Sequence, residues 1–254
     1  MPEKIAEAAR EIPVIAEVDV LVIGGGPAGV AAAAGAARAG ARTLVLERHG
    51  FLGGMWTAGM VLTLAGFNSW LRPYTRCVAG IGGEWVERAE EQGGARFDNG
   101  FVINTEPEVM KRVADELLAD AGVETLFHTW GATPIMEGTR VAGAFIENKD
   151  GRGAILAGVT IDCTGDGDFI ERSGAEWTKS DSLQPMTMSF RVSGADPDPD
   201  VRHDVPTLLP IGPEPGVLRD PILTEYSSSR RDIPLDSAAM AQAAERGELP
   251  RSAA

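Results

Sequence analysis

The chain has 254 residues with 44% hydrophobic composition, enough to bury a sizeable core as one large domain or one and a half smaller ones. Its formal charge of -14 leaves no clustered Lys and Arg to hold a phosphate backbone, which argues against nucleic acid as a partner. Only Cys77 and Cys163 occur, without metal-ligand spacing or a disulfide framework, and a reducing cytoplasm fits them.

Residues 1–17 read as a polar leader, because Lys4, Arg10 and several Glu interrupt any apolar core of a secretory signal. The charge-free run from Val20 to Ala37 has the length of a membrane span, but Gly24, Gly25, Gly26, Pro27, Gly29 and Gly35 make it a poor lipid-facing helix. A strand, a turn and a helix explain it better, so no membrane partner is expected. Val18 to Ile23 is β-branched and apolar, the mark of a strand buried on both faces of a parallel sheet. Gly24-x-Gly26-x-x-Gly29 then supplies a tight turn, close backbone approach to a pyrophosphate, and close packing of the next helix. That helix, about Ala28 to Ala39, is nearly all Ala and Gly and is closed by Gly40. With Pro27 and Ala28 at its start, its N–H groups face the phosphates.

Thr43 to Leu46 is a second strand, and Glu47 stands at its end, where a carboxylate can accept hydrogen bonds from both ribose hydroxyls and would repel a 2′-phosphate. A structural turn in an α/β protein that binds no nucleotide is the competing reading of the glycines alone. The chain continues Arg48-His49-Gly50-Phe51-Leu52-Gly53-Gly54-Met55-Trp56-Thr57. An acid at the second strand end followed by a Gly-Gly pair resembles flavoproteins of the glutathione-reductase type, which favours FAD over NAD. The resemblance implies that Arg48 borders the cofactor, that Gly53 and Gly54 pass close to the pyrophosphate and ribityl chain, and that Met55 to Thr57 lead toward the isoalloxazine.

Gly82 to Arg88 opens a helix ending near Gly93-Gly94, with Trp85 and Val86 buried. Thr105-x-x-Glu108 reads as a capping box, with Pro107 in the first turn and Val109, Val113, Leu117 and Leu118 at helical spacing up to Gly122. Val123 to Thr129 is strand-like and joins the nucleotide sheet or its edge. In the resembling flavoproteins a backbone segment here brackets the adenine, which points to Gly131. Val141 to Asn148, the turn Lys149 to Gly153, and Ala154 to Ile161 read as a hairpin and its return, a meander inserted between strands of the nucleotide sheet.

Asp162-Cys163-Thr164-Gly165-Asp166-Gly167-Asp168 resembles the Ala-Thr-Gly-Asp-Gly-Asp element of a large group of FAD-dependent oxidoreductases, with Cys163 replacing the first alanine. Leu183 to Arg191, with its Gln-Pro-Met segment, resembles the same group. The implied roles are backbone contact of Thr164 and Gly165 with the dinucleotide and capping of the next helix by Asp168. A calcium loop is the rival reading of these acids, but its later ligands and terminal Glu are missing, so no metal is expected. His49, His128 and His203 are scattered, and His128 suits a structural place.

Asp196 to Pro221 is rich in Pro and Asp and reads as loops, and a last helix is expected over Asp236 to Arg246. The fold expected is α/β: a Rossmann-like FAD-binding parallel sheet with a β-meander over 18–180, and part of a second, substrate domain over 181–254. The resemblance implies FAD and hydride transfer from a small organic substrate to flavin N5. It also implies further sequence completing the flavin site, so that the chain is expected to be a fragment or one half of a split enzyme with a partner chain. No catalytic base stands out. Arg72, Tyr74 and Arg191 are candidates to touch substrate, with surface or core roles the simpler assignment. A non-catalytic nucleotide-binding subunit and an NAD-linked dehydrogenase are the alternatives.

Overall fold

The structure is a computed structural model that describes residues 5, 8–69, 75–96, 102–180 and 189. The chain divides into two units, 1–178 and 179–254, and every element below belongs to the first. Arg72, Tyr74, His203, Arg191, all but Ser189 of Leu183 to Arg191, and the loops and helix expected after Asp196 lie outside the described residues.

Strand β1 (Val14–Ile23) is the axis of a six-stranded sheet. It begins four residues earlier than the apolar run implies and takes in the end of the polar leader, because Glu17 and Asp19 point to solvent while Ala16, Val18 and Val20 turn inward. That alternation is a half-buried strand rather than a polar tail. Helix α1 (Pro27–Arg38) and β2 (Thr43–Leu46) follow, and Val20 to Ile23 pair in parallel with Thr43 to Leu46. Ala39 holds the helix C-cap and Gly40, at φ +95°, turns the chain out of it.

A single 3-10 turn (Gly54–Trp56) leads to β3 (Thr63–Ala65) and α2 (Gly80–Glu91). After them come β4 (Ala95–Arg96), β5 (Val102–Thr105) and α3 (Pro107–Ala121). Strands β3, β5 and β4 form a small antiparallel sheet that the sequence reading did not anticipate. It also moves the cap of α3. Thr105 belongs to β5, where its hydroxyl donates to the Leu62 carbonyl at 3.0 Å, and the Glu106 carboxylate instead accepts the N–H of Glu108 at 2.7 Å. The capping box on Thr105 is therefore corrected to a cap on Glu106; Gly122, at φ +74°, ends the helix as expected.

The edge strand β6 (Glu124–Leu126) pairs in parallel with β2. β7 (Trp130–Glu137), β8 (Arg140–Asn148) and β9 (Gly151–Asp162) form an antiparallel meander. The sheet order β6-β2-β1-β9-β8-β7 puts β9 directly beside β1, with Ile23 opposite Asp162, and the other two meander strands outside it. The meander thus extends the sheet at one side instead of interrupting it. Helix α4 (Asp168–Ser173) closes the unit.

Alternate residues of the parallel strands feed two cores. Val22 and Val45 pack with Val30 of α1, Trp85 of α2, and Val113 and Leu117 of α3. Leu21, Ile23, Leu44 and Leu46 pack with Ile146 and Ile155 of the meander and Phe169 of α4. Buried Trp85 donates its indole N–H to the Met110 carbonyl at 3.1 Å, joining α2 to α3. On the outer side of the helices Glu84 receives Arg38 at 2.6 Å and Arg88 at 2.7 Å, and Arg88 reaches Asp120 at 2.6 Å. Among the described residues no helix is long and apolar enough to cross a membrane.

Candidate cofactor site

A cleft of about 680 Å³ opens at the carboxyl ends of β1, β2 and β9, where the chain leaves β1 on one side for β2 and returns on the other as β9. This crevice is where open α/β sheets bind ligands. Its floor is the turn from β1 into α1. Gly24 has φ +103°, and a side chain there would strike the Cys163 carbonyl; a side chain at Gly29 would strike the Gly24 carbonyl. Gly26 is different. A Cβ built on it meets nothing nearer than the Gly54 Cα at 3.8 Å, so the backbone there faces open space. Helix α1 starts at that point with Pro27, no side-chain cap and no acid in its first turn, leaving its N-terminal N–H groups and partial positive charge toward the cleft.

The Gly53-Gly54 segment closes over this turn. Gly53 donates its N–H to the Gly25 carbonyl at 2.8 Å, and Gly54, at φ +47°, lies so near that a Cβ on it would be 2.8 Å from the Gly26 Cα. Gly54 and Met55 line the cleft, with Met55 largely exposed. Thr57 does not line it: buried, its hydroxyl donates to the Leu52 carbonyl at 2.7 Å and so shapes the loop from behind. Gly53 and Gly29 are likewise behind the wall, in packing positions.

Glu47 is 4% exposed, and its carboxylate is already at work within the protein. One oxygen accepts the Gly25 N–H at 2.8 Å and the other the His49 N–H at 2.7 Å, which ties the end of β2 to the glycine turn. It still borders the cleft, as do Arg48 and His49. Each oxygen keeps a further lone pair for a ligand hydroxyl.

The opposite wall is built by β7 and by the segment after β9. Gly131 borders the cleft, and its lack of a side chain has a packing cause: a Cβ there would lie 2.6 Å from Ile23 Cγ2, because the start of β7 comes close to the end of β1. Thr164, Gly165 and Asp168 line the cleft. Asp168 does not cap α4. It is the first residue of that helix, behind Gly167 at φ +72°. The capping falls to Asp162, which accepts the N–H groups of Phe169 and Ile170 at 3.1 and 2.9 Å, and to Thr164, whose hydroxyl accepts those of Gly167 and Asp168. Asp162 could have been suspected from the sequence as an acid ending a strand before a Thr-Gly turn. Cys163 donates its N–H to the Ile23 carbonyl at 2.8 Å. Burial, and then neighbouring Asp162, push its thiol above the ordinary range, which makes it a poor nucleophile.

The structure thus brings together Gly24, Gly26, Pro27, Ala28, Glu47, Arg48, Gly54, Met55, Gly131, Thr164, Gly165 and Asp168 around one cleft, and adds Trp130, which the sequence reading did not single out. Among the described residues no group of three or more His, Cys, Asp or Glu is placed to hold a metal ion.

The model of the FAD dependent oxidoreductase family matches residues 19–250. The chain belongs to that family. It therefore carries the family's potential to bind FAD and to act as an enzyme. Among its relatives, the digeranylgeranylglycerophospholipid reductase of Methanosarcina acetivorans is 30% identical over 196 residues, covering 72% of this chain and 46% of that protein. The corresponding reductase of Methanospirillum hungatei is 28% identical over 67% of this chain and 42% of its own length. The chain spans less than half the length of these curated relatives. A thiamine thiazole synthase of Methanococcus vannielii is 58% identical over 45 residues, 17% of each chain. Among solved structures, THI4 of Thermovibrio ammonificans aligns with 61% of this chain and 61% of its own, at 21% identity and a TM-score of 0.48.

Proposed function

We propose that the cleft holds the dinucleotide of FAD and that the protein works as an FAD-dependent oxidoreductase on a small organic substrate, taking a hydride from a substrate C–H bond. The observation that carries this reading is Gly26, the one glycine of the Gly24-x-Gly26-x-x-Gly29 turn whose missing side chain leaves free space, at the uncapped start of α1. The arrangement fits a diphosphate, which needs close backbone approach and N–H donors. Gly24 to Ala28 would hold that group, with Gly54 and the Thr164-Gly165 backbone across from it. Glu47 would hold the adenosine ribose with its remaining lone pairs and disfavour a 2′-phosphate. Glu47 followed by Gly53-Gly54 supports a flavoprotein of the glutathione-reductase type over an NAD-linked dehydrogenase. When bound, FAD supplies hydride acceptance at flavin N5. The chain's own part is to bind, orient and shield. Residues 181–254 are assigned to the substrate domain, and the two free cysteines suit a reducing cytoplasm.

The purified chain is tested by its visible spectrum with and without added FAD, followed by anaerobic reduction with candidate substrates. Flavin uptake with substrate-dependent bleaching supports the proposal. ADP binding by a protein that refuses flavin identifies a non-catalytic nucleotide module, and tight NAD binding without flavin uptake identifies an NAD-linked enzyme; either result overturns it.

A further inference from the structure

Among the described residues Met55 is the most exposed methionine, at 59% against 38% for Met136, while Met60 is half-buried and Met110 is sealed in the core. Of these four only Met55 borders the cleft. We propose that Met55 is a modification site for hydrogen peroxide and that its sulfoxide lowers the affinity of the cleft for a dinucleotide. The effect on binding rests on the dinucleotide reading of the cleft, and the place of oxidation does not.

The loop that follows Gly54 turns this side chain outward. Trp56 packs against the core, its ring centroid 4.9 Å from that of Trp85, and the Thr57 hydroxyl is buried on the Leu52 carbonyl. The Gly54 carbonyl accepts the N–H groups of Thr57 and Gly59 at 3.1 and 3.0 Å, and the Met55 carbonyl accepts that of Val61 at 2.9 Å. With its neighbours anchored and its backbone closed on itself, Met55 is held on the cleft side. Its thioether lies along Gly59: a Cβ built on that glycine would be 2.9 Å from the sulfur and 3.1 Å from the terminal methyl. The Gly59 backbone therefore covers one side of the sulfur, and the side left to an oxidant, and to the oxygen it adds, is the one toward the cleft.

The chemistry needs only the thioether and the peroxide. A sulfur lone pair attacks one peroxide oxygen, and the S–O bond forms as the O–O bond breaks. The second oxygen leaves as hydroxide and takes the proton of the first to become water, so that methionine loses two electrons and peroxide gains them. A flexible apolar side chain becomes polar and chiral. The new oxygen carries partial negative charge and only accepts hydrogen bonds. The residue before it, Gly54, has its Cα 3.8 Å from where a Cβ on Gly26 would be, which sets the sulfoxide beside the turn assigned to a diphosphate. An acceptor is thereby brought next to the anionic oxygens of the ligand, where neither supplies a donor to the other, and such a pairing opposes binding.

The test treats the full chain with hydrogen peroxide, maps sulfoxide by peptide mass spectrometry and titrates FAD by flavin fluorescence. Met55 is expected to gain oxygen before Met136, and Met110 to stay reduced. Saturating FAD should slow oxidation at Met55 and leave Met136 unprotected. FAD affinity should fall by at least about fivefold, the lower end of the cost of an unpaired acceptor, in step with Met55 sulfoxide. Methionine sulfoxide reductases for both sulfoxide epimers should restore it. Met55→Leu, compared with its own untreated affinity, should lose nothing on peroxide treatment. Met136 reacting first, or FAD protecting both residues alike or neither, overturns the site. A Met55→Leu protein that loses FAD affinity as the wild type does overturns the effect on binding. Untreated wild type that takes up no FAD removes the dinucleotide reading and that effect with it, while the order of oxidation still decides the site.

Discussion

Gly26→Ala is expected to separate binding from folding. At φ -70° the position suits any L-residue, and the added methyl meets nothing closer than 3.8 Å. Losing glycine at a helix N-cap costs about 0.5–1 kcal/mol, while reducing the freedom of the unfolded chain returns about 0.4–1 kcal/mol. The two nearly cancel, so the melting temperature of the ligand-free protein should move by no more than about 2–4 °C. The methyl nonetheless enters the space in which the proposed function puts a diphosphate, and on that reading FAD affinity should fall by at least about tenfold, which is 1.4 kcal/mol. Gly29→Ala is the control. Its methyl lands on the Gly24 carbonyl, backbone against backbone, and overpacking of this kind costs up to about 3 kcal/mol, or roughly 6–12 °C. Thermal melts of the apo proteins, paired with FAD titrations followed by flavin fluorescence, read both quantities. A Gly26→Ala protein that melts as low as Gly29→Ala, or that binds FAD like wild type, refutes the reasoning.

Glu47→Gln should destabilise the apo protein by about 1.5–3 kcal/mol, because an amide nitrogen then faces one of the two N–H donors that the carboxylate satisfied; an unchanged urea midpoint would contradict this. Asp162→Asn keeps one acceptor oxygen where two had served Thr164, Phe169 and Ile170, so hydrogen exchange at the amides of 169 and 170 should quicken selectively. The hydrogen bond from Arg38, and then that from Arg88, hold the Glu84 carboxyl below the ordinary carboxylate range. A carboxyl lowered on folding stabilises above its unfolded pKa of about 4.3 and loses that contribution as the pH falls through the folded value. Wild type should therefore exceed Glu84→Gln by about 0.5–1 kcal/mol at pH 7, the scale of partly exposed ion pairs, and the gap in denaturation midpoints should close as the pH drops below about 4.

The β1-α1-β2 unit was legible because its glycines answer to steric demands that act within a few residues of chain. The place of Glu47 at the end of β2 was legible from the second apolar run that it terminates, although its hold on Gly25 is visible only in three dimensions. Elsewhere the deciding partners are remote in sequence. Thr105 has every local feature of a cap, but it ends β5, opposite Ala95 of β4, and its hydroxyl is held by the Leu62 carbonyl. β7 escaped notice because its Gly131-Ala-Thr-Pro134 stretch is poor in β-branched residues; as an edge strand it tolerates Pro134. Asp168 looked like a cap by position, while the real one, Asp162, reaches forward from the end of a strand. Trp130 has no motif at all, and its place beside Arg48 follows from backbone bonds between two strand ends.

The position of β9 bears on how this protein is made on the ribosome. Val14 to Ile23 are translated well before Ala154 to Asp162, their neighbour on one side, so that flank of β1 has no mate until the meander has been translated. Until then a nascent chain carries an unsatisfied edge rich in Val and Ile, the kind of surface that other chains can add to. Chaperone cover during that interval would matter more here than in folds whose central strand is flanked by its immediate successors.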